Sequence, residues 1–175
     1  MKKLRKMLGS ADSPYIVSLM RLMETQSKTT LAGWCISYAR SSVLPIYESA
    51  FPDDVRVGAA LEAAQDWLDG KIKLPVAKQF ILAAHAAARE AEETPAAQAA
   101  ARAVAQASSA IHAPSHGLGL AFYGSAAIAY TRVGIHAEDE IYDQIAAETC
   151  AKMASALLAC ATTDEKNPAK INWHC

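Results

Sequence analysis

Aromatic residues make up only 7% of this sequence, and glycine occurs eight times in 175 residues. The period-two runs of valine, threonine and aromatic residues that a sheet requires do not occur. Charge of one sign is missing as well: 17 Lys and Arg stand against 18 Asp and Glu, for a net charge of -1. No global field then draws the chain to nucleic acid or to an anionic membrane, and neither is an expected partner. The longest weakly charged stretch, Ala103 to Tyr130, carries Gln106, Ser108, Ser109, His112, Pro114, Ser115 and His116. A bilayer interior would leave those polar groups unsatisfied, which argues against a membrane span. The basic start Met1-Lys2-Lys3-Leu4-Arg5-Lys6 has no apolar core behind it and does not read as an export signal. Cys35, Cys150, Cys160 and Cys175 form no C-x-x-C pair, and without an export signal they read as free thiols of a cytoplasmic protein.

What the sequence does have is alanine, within a hydrophobic fraction of 52% and a charged fraction of 20%. Alanine is the best helix former and the smallest side chain that packs. Repeated Ala-Ala pairs therefore predict helices that approach one another closely. A chain of this length is one domain, able to bury about 70% of the surface its unfolded form exposes. The reading is an all-α, single-domain bundle of about seven helices over residues 12–161, with a flexible arm at 1–11 and a tail at 162–175 that docks through Trp173. No repeat at a fixed period marks a solenoid.

Local signals place the helices. Asp12-Ser13-Pro14 is a start, with a capping side chain and proline at the first helical position. Ile16, Leu19, Met20, Leu22 and Met23 then form an apolar stripe at three-and-four spacing. Thr30 caps a second helix running toward Phe51 and kinked at Pro45. A third, from about Val55 to Asp69, follows the Pro52-Asp53-Asp54 turn, with Asp53 as its capping residue, and stops at Gly70. Leu74-Pro75 and Thr94-Pro95 open the fourth and fifth. The fifth is almost all alanine, with Gln98, Arg102 and Gln106 as its polar stripe. A sixth runs from about Ser115 to Gly134, and a seventh starts at Ala137 with Glu138, Asp139 and Glu140 in its first turn.

One stretch departs from ordinary amphipathic helix: Ile111-His112-Ala113-Pro114-Ser115-His116-Gly117-Leu118-Gly119, leading to Phe122-Tyr123-Gly124. On an unbroken helix His112 and His116 would share a face, the spacing of a helical metal site, and His85 on an earlier helix could supply a third nitrogen. No acidic or thiolate ligand accompanies them, Pro114 lies between the pair, and the H-E-x-x-H pattern is absent. Hydrogen bonding across helix contacts is the competing explanation. Gly117-Leu118-Gly119 follows no strand and lacks the third glycine of a phosphate loop, so it reads as room for a neighbouring helix. Ser115 and Ser125 sit in no G-x-S-x-G elbow, and Cys35 beside Trp34 reads as a buried thiol. No catalytic constellation and no cofactor is expected.

Several segments, taken in order, resemble a known group. They are Trp34 to Ala39 running into Ser42-Val43-Leu44-Pro45-Ile46-Tyr47-Glu48, then Phe51-Pro52-Asp53-Asp54-Val55-Arg56 and Ala59 to Trp67. Ala83-Ala84-His85-Ala86-Ala87-Ala88-Arg89 and Ala110 to His116 ahead of Tyr123 complete the set. This order is similar to that of the immunity proteins of bacterial polymorphic toxin systems, the group called immunity-protein-five-like. The resemblance covers roughly Leu31 to Tyr130 and implies an all-α, non-catalytic protein that binds and neutralises a cognate toxin in the cell that makes it. Charge complementarity governs association rate and specificity, so the acidic faces are the expected contact surfaces: Asp53, Asp54, Glu62, Asp66 and Asp69 on one, Glu138, Asp139 and Asp143 on the other. The alternative is a small helical metal-binding protein or enzyme using His85, His112 and His116. Alanine-rich faces also suit packing into a homo-oligomer.

Overall fold

The computed structural model describes residues 4–174. Eight helices and no strand occur among them: α1 (Pro14–Met23), α2 (Lys28–Ser42), α3 (Leu44–Ala50), α4 (Arg56–Leu68), α5 (Leu74–Glu90), α6 (Pro95–Ser109), α7 (His116–Val133) and α8 (Asp139–Cys160). The fold is the all-α bundle that alanine content and periodicity predict. It has one helix more than about seven because the kink expected at Pro45 is a complete break. Val43 leaves helical geometry (φ -121°, ψ -48°), and Pro45, which can donate no bond to the preceding turn, becomes the second residue of α3.

Proline opens helices where expected, at Pro14, Pro75 and Pro95. Glycine closes two segments in the left-handed region, Gly70 after α4 (φ 73°) and Gly134 after α7 (φ 72°). Two caps differ from the sequence reading. Helix α2 starts three residues early, because the Ser27 hydroxyl accepts the Thr30 N–H at 3.1 Å and so acts as the cap that Thr30 was expected to be. At α4 the capping carboxylate is Asp54, which accepts the Arg56 N–H at 3.0 Å, while Asp53 is exposed.

Helix α6 is the axis of the bundle and packs against α2, α3, α4, α5 and α7. Its polar stripe is narrow, and ten of its fifteen residues are buried. Ser108 and Ser109 reach this interior at no polar cost, since their hydroxyls donate to the Val104 and Ala105 carbonyls at 2.9 and 2.8 Å. The three polar side chains of α6 are also engaged. Gln98 donates to the Ala88 carbonyl of α5 at 2.9 Å. Arg102 lies over the Tyr123 ring of α7, 5.9 Å from its centroid. Gln106 bonds His116.

The segment ahead of α1, expected as a flexible arm, lies along α7 and α8 in its described part. Leu8 is buried, its N–H donates to the Phe122 carbonyl at 3.2 Å, and the Tyr130 hydroxyl donates to the Arg5 carbonyl. Burying one leucine stabilises by about 1.5–3 kcal/mol, and the two hydrogen bonds join Arg5 and Leu8 to α7. At the other end, buried Gln26 pairs with Thr162 like a strand residue: its amide donates to the Thr162 carbonyl at 3.2 Å and its oxygen accepts the Thr162 N–H at 2.8 Å. The Gln26 carbonyl accepts the Ala169 N–H at 2.8 Å, and Trp173 Nε1 donates to Glu24 Oε1 at 2.7 Å. Among the described residues no helix is long and apolar enough to cross a membrane.

Candidate functional site

The two histidines singled out in the sequence do not share a helix. Helix α6 ends at Ser109, whose carbonyl accepts from both His112 and Ala113 at 3.2 Å. Pro114 has no N–H to carry the ladder on, and three tight bonds (Ala113 to His116, Pro114 to Gly117, Ser115 to Leu118) wind the chain into α7. His112 is therefore exposed on the turn, while His116 is half-buried as the first residue of α7. Their rings meet edge-on, with centroids 5.4 Å apart at 61°.

His116 is positioned by α6. Its Nδ1 lies 2.7 Å from Gln106 Oε1. A carboxamide oxygen only accepts, so Nδ1 carries the proton and Nε2 keeps its lone pair. Gly119 makes room for this contact: a Cβ there would stand 2.5 to 2.7 Å from three atoms of the Gln106 side chain. At Gly117 a Cβ would stand 2.6 Å from Met23 Cε and 3.4 Å from Cys35 Sγ and Trp34 Cζ3. The glycines thus admit neighbouring side chains from α1, α2 and α6, as their reading as space for a close approach predicts.

His85, half-buried on α5, joins the pair from the side. Burial lowers its pKa, and so do Arg89, His116 and Arg102 around it. Burial, His116 and Lys78 lower that of His112, and burial alone that of His116. The charged or titratable groups that act on His85 and His112 are cations and His116, while His116 itself meets Gln106. Among the described residues no group of three or more His, Cys, Asp or Glu side chains is arranged to hold a metal ion. The three histidines thus share one face of the bundle without forming a ligand set, and the metal-binding alternative is not favoured. Cys35 is fully buried and its thiol is pushed far up by desolvation; burial raises Cys150 to about 11. Neither is a poised nucleophile. The Trp34 indole donates to the Met153 carbonyl of α8 at 3.0 Å and ties α2 to that helix.

The acidic residues proposed for contact have different fates. Asp54 is the hub of a clamp: it accepts from the Tyr47 hydroxyl at 2.8 Å and from Arg56 Nε and a terminal nitrogen at 2.9 and 2.7 Å. Arg56 in turn bridges to both oxygens of Glu90 on α5, at 3.1 and 2.6 Å. The Arg56 guanidinium first, with the Tyr47 hydroxyl behind it, holds the Asp54 carboxyl well below the usual carboxylate range. Asp66 and Asp69 share Lys71, both at 3.1 Å. Asp143 and Asp139 face Arg5 at 3.0 and 3.9 Å. Asp53, Glu62 and Glu138 are exposed and carry no ion pair among the described residues, and they lie on separate elements.

Sequence reasoning passed over the cations of the histidine face. Lys78, Leu82, His85 and Arg89 recur at i, i+4, i+7 and i+11 on α5, a single stripe. That spacing was the available signal. None of Lys78, Arg89 or Arg102 has a carboxylate within ion-pair distance among the described residues.

The fold and this geometry together define a helical protein built around a buried alanine helix, with His116 of the histidine turn bonded internally and His112 exposed. The model of the family described as "Imm-5 like putative immunity protein" matches residues 21–156, and the chain belongs to that family. The match runs from the end of α1 into α8 and so spans the α2–α3 break, the Asp54 clamp and the histidine turn. No curated protein and no solved structure matches the chain.

Proposed function

We propose that the chain is a non-catalytic, cytoplasmic protein-binding module that neutralises a cognate bacterial toxin by covering its working surface. Family membership over residues 21–156 is the observation that carries this reading. Among the described residues no buried side-chain nitrogen or oxygen lacks a hydrogen-bond partner. Cys35, Cys150 and Cys160 are all free, in keeping with a reducing compartment.

The test is co-expression with the protein encoded by the adjacent gene, in cells that this protein harms. Growth restored by the chain, together with a stable complex of the two purified proteins in size-exclusion chromatography, is the expected result. A neighbouring toxin whose harm the chain leaves undiminished, and with which it forms no complex, contradicts the reading.

A further inference from the structure

We infer that the toxin-contacting surface is the cationic histidine face formed by α5 and the start of α7, built around Lys78, Leu82, His85, Arg89 and His112, and that it fits an acidic protein surface. The inference rests on the immunity reading and adds to it the place and chemistry of contact. Three observations carry it.

The first is charge. Four clusters elsewhere pair within the chain: Arg5 faces Asp139 and Asp143, Arg56 bridges Asp54 and Glu90, Lys71 joins Asp66 and Asp69, and Arg132 meets Glu148 at 3.3 Å. On the α5 face Lys78 and Arg89 are exposed and form no ion pair with their own chain among the described residues; Glu90, next to Arg89, feels its charge but is bonded to Arg56. Unpaired cations beside imidazoles create a positive potential that a carboxylate-bearing partner relieves, speeding encounter and fixing register.

The second is an apolar anchor within the charged stripe. Leu82 is 66% exposed, one turn from both Lys78 and His85 on the same side of the helix. A large apolar side chain ringed by polar groups is the composition of a protein–protein contact, where a central residue is desolvated and charges form the rim. Single-stranded nucleic acid is gripped through phosphates and stacked bases, and this stripe offers no Phe, Tyr or Trp side chain for stacking.

The third is that the residues beneath the face are anchored. Gln106 fixes His116, and Arg102 lies over Tyr123. A preorganised surface loses little conformational entropy when it binds.

Proton linkage follows. His85 faces Arg89 on its own helix, Arg102 on α6 and His116 on α7; His112 faces Lys78 on α5 and His116. All these neighbours disfavour protonation in the free chain. A partner carboxylate favours it, so binding takes up protons and tightens as pH falls from 8 to 6.

The experiment measures affinity for the catalytically inactivated product of the adjacent gene by calorimetry. Lys78→Glu combined with Arg89→Glu is expected to weaken binding at least about a hundredfold, and Leu82→Ala about tenfold. Both variants should keep the wild-type melting temperature, because the altered side chains are exposed. Wild-type affinity should rise several-fold from pH 8 to pH 6, and His85→Gln with His112→Gln should flatten that rise. Wild-type binding that survives the double reversal unchanged overturns the assignment of this face while leaving the immunity reading intact. A wild-type chain that does not bind overturns the reading itself and the inference with it. Displacement of the bound partner by a short duplex DNA or by poly(U), at concentrations near that of the chain, assigns the face to nucleic acid and overturns the inference as well.

Discussion

Two faces of this bundle use charge in opposite ways. On the α3–α4 side Asp54, Arg56, Glu90 and Tyr47 satisfy one another and hold three segments together. On the α5–α7 side Lys78, Arg89 and three histidines stand together with no carboxylate ion-paired to them among the described residues; burial lowers all three histidine pKa values, with nearby cations and His116 adding to it at His85 and His112. A net charge of -1 hides this division. The contrast separates charges that serve the fold from charges left for a partner, and abundance in the sequence distinguishes the two poorly.

The largest expected effect comes from breaking the self-satisfied face. Asp54→Ala leaves the Tyr47 hydroxyl, on a residue 1% exposed, without its acceptor, and removes the cap of α4. It should lower unfolding free energy by about 3 kcal/mol in urea denaturation, with toxin affinity unchanged so long as the protein is folded. Next is Gly119→Ala, whose new Cβ overlaps Gln106. Forcing that side chain aside should cost about 1–3 kcal/mol. It should also free His116 from its hydrogen bond, visible as a changed imidazole shift by NMR.

The pH dependence of stability should resolve the two faces. The histidine pKa values are lowered in the folded chain, so the unfolded chain takes up protons first as pH falls below about 6.5 and stability declines from there. Asp54 and Glu90 are also held low, chiefly by hydrogen bonds from Arg56, so their stabilisation is present above about pH 4 and is lost as pH falls through the folded values. Urea titrations from pH 8 to pH 2 should show two separate declines. His85→Gln with His116→Gln should shrink the upper one, and Asp54→Asn should shrink the lower one. The smallest effect is expected at Glu62→Lys, an exposed position without a partner among the described residues. Stability there should move by no more than about 0.5 kcal/mol, and toxin affinity should not change.

Much of the fold was legible because it is local. Serine-proline and threonine-proline starts, Gly70 and Gly134 stops, and three-and-four apolar stripes report a helix within a few residues of where they stand. Small differences at Ser27 and Asp54 arise because several candidate caps lay within one turn and only backbone geometry chose among them. The α2–α3 break was readable as a kink at Pro45, but its completeness depends on Val43, which has no distinctive signal. The candidate site was less legible. The sequence grouped His85 with His112 and His116, and the fold does bring them to one face. It could not show that Arg56 reaches Glu90, 34 residues away, or that Arg5 reaches Asp143, 138 residues away. Which acidic residues remain free is decided by such tertiary pairs, and no local pattern encodes them.

Hydrogen exchange of the chain alone and in complex with the inactivated toxin tests the central claim most directly. The account predicts new protection over residues 76–92 and 110–118, with 54–70 and 138–150 exchanging as in the free chain. Protection confined to 54–70 or 138–150 would place the contact on the acidic faces and contradict it.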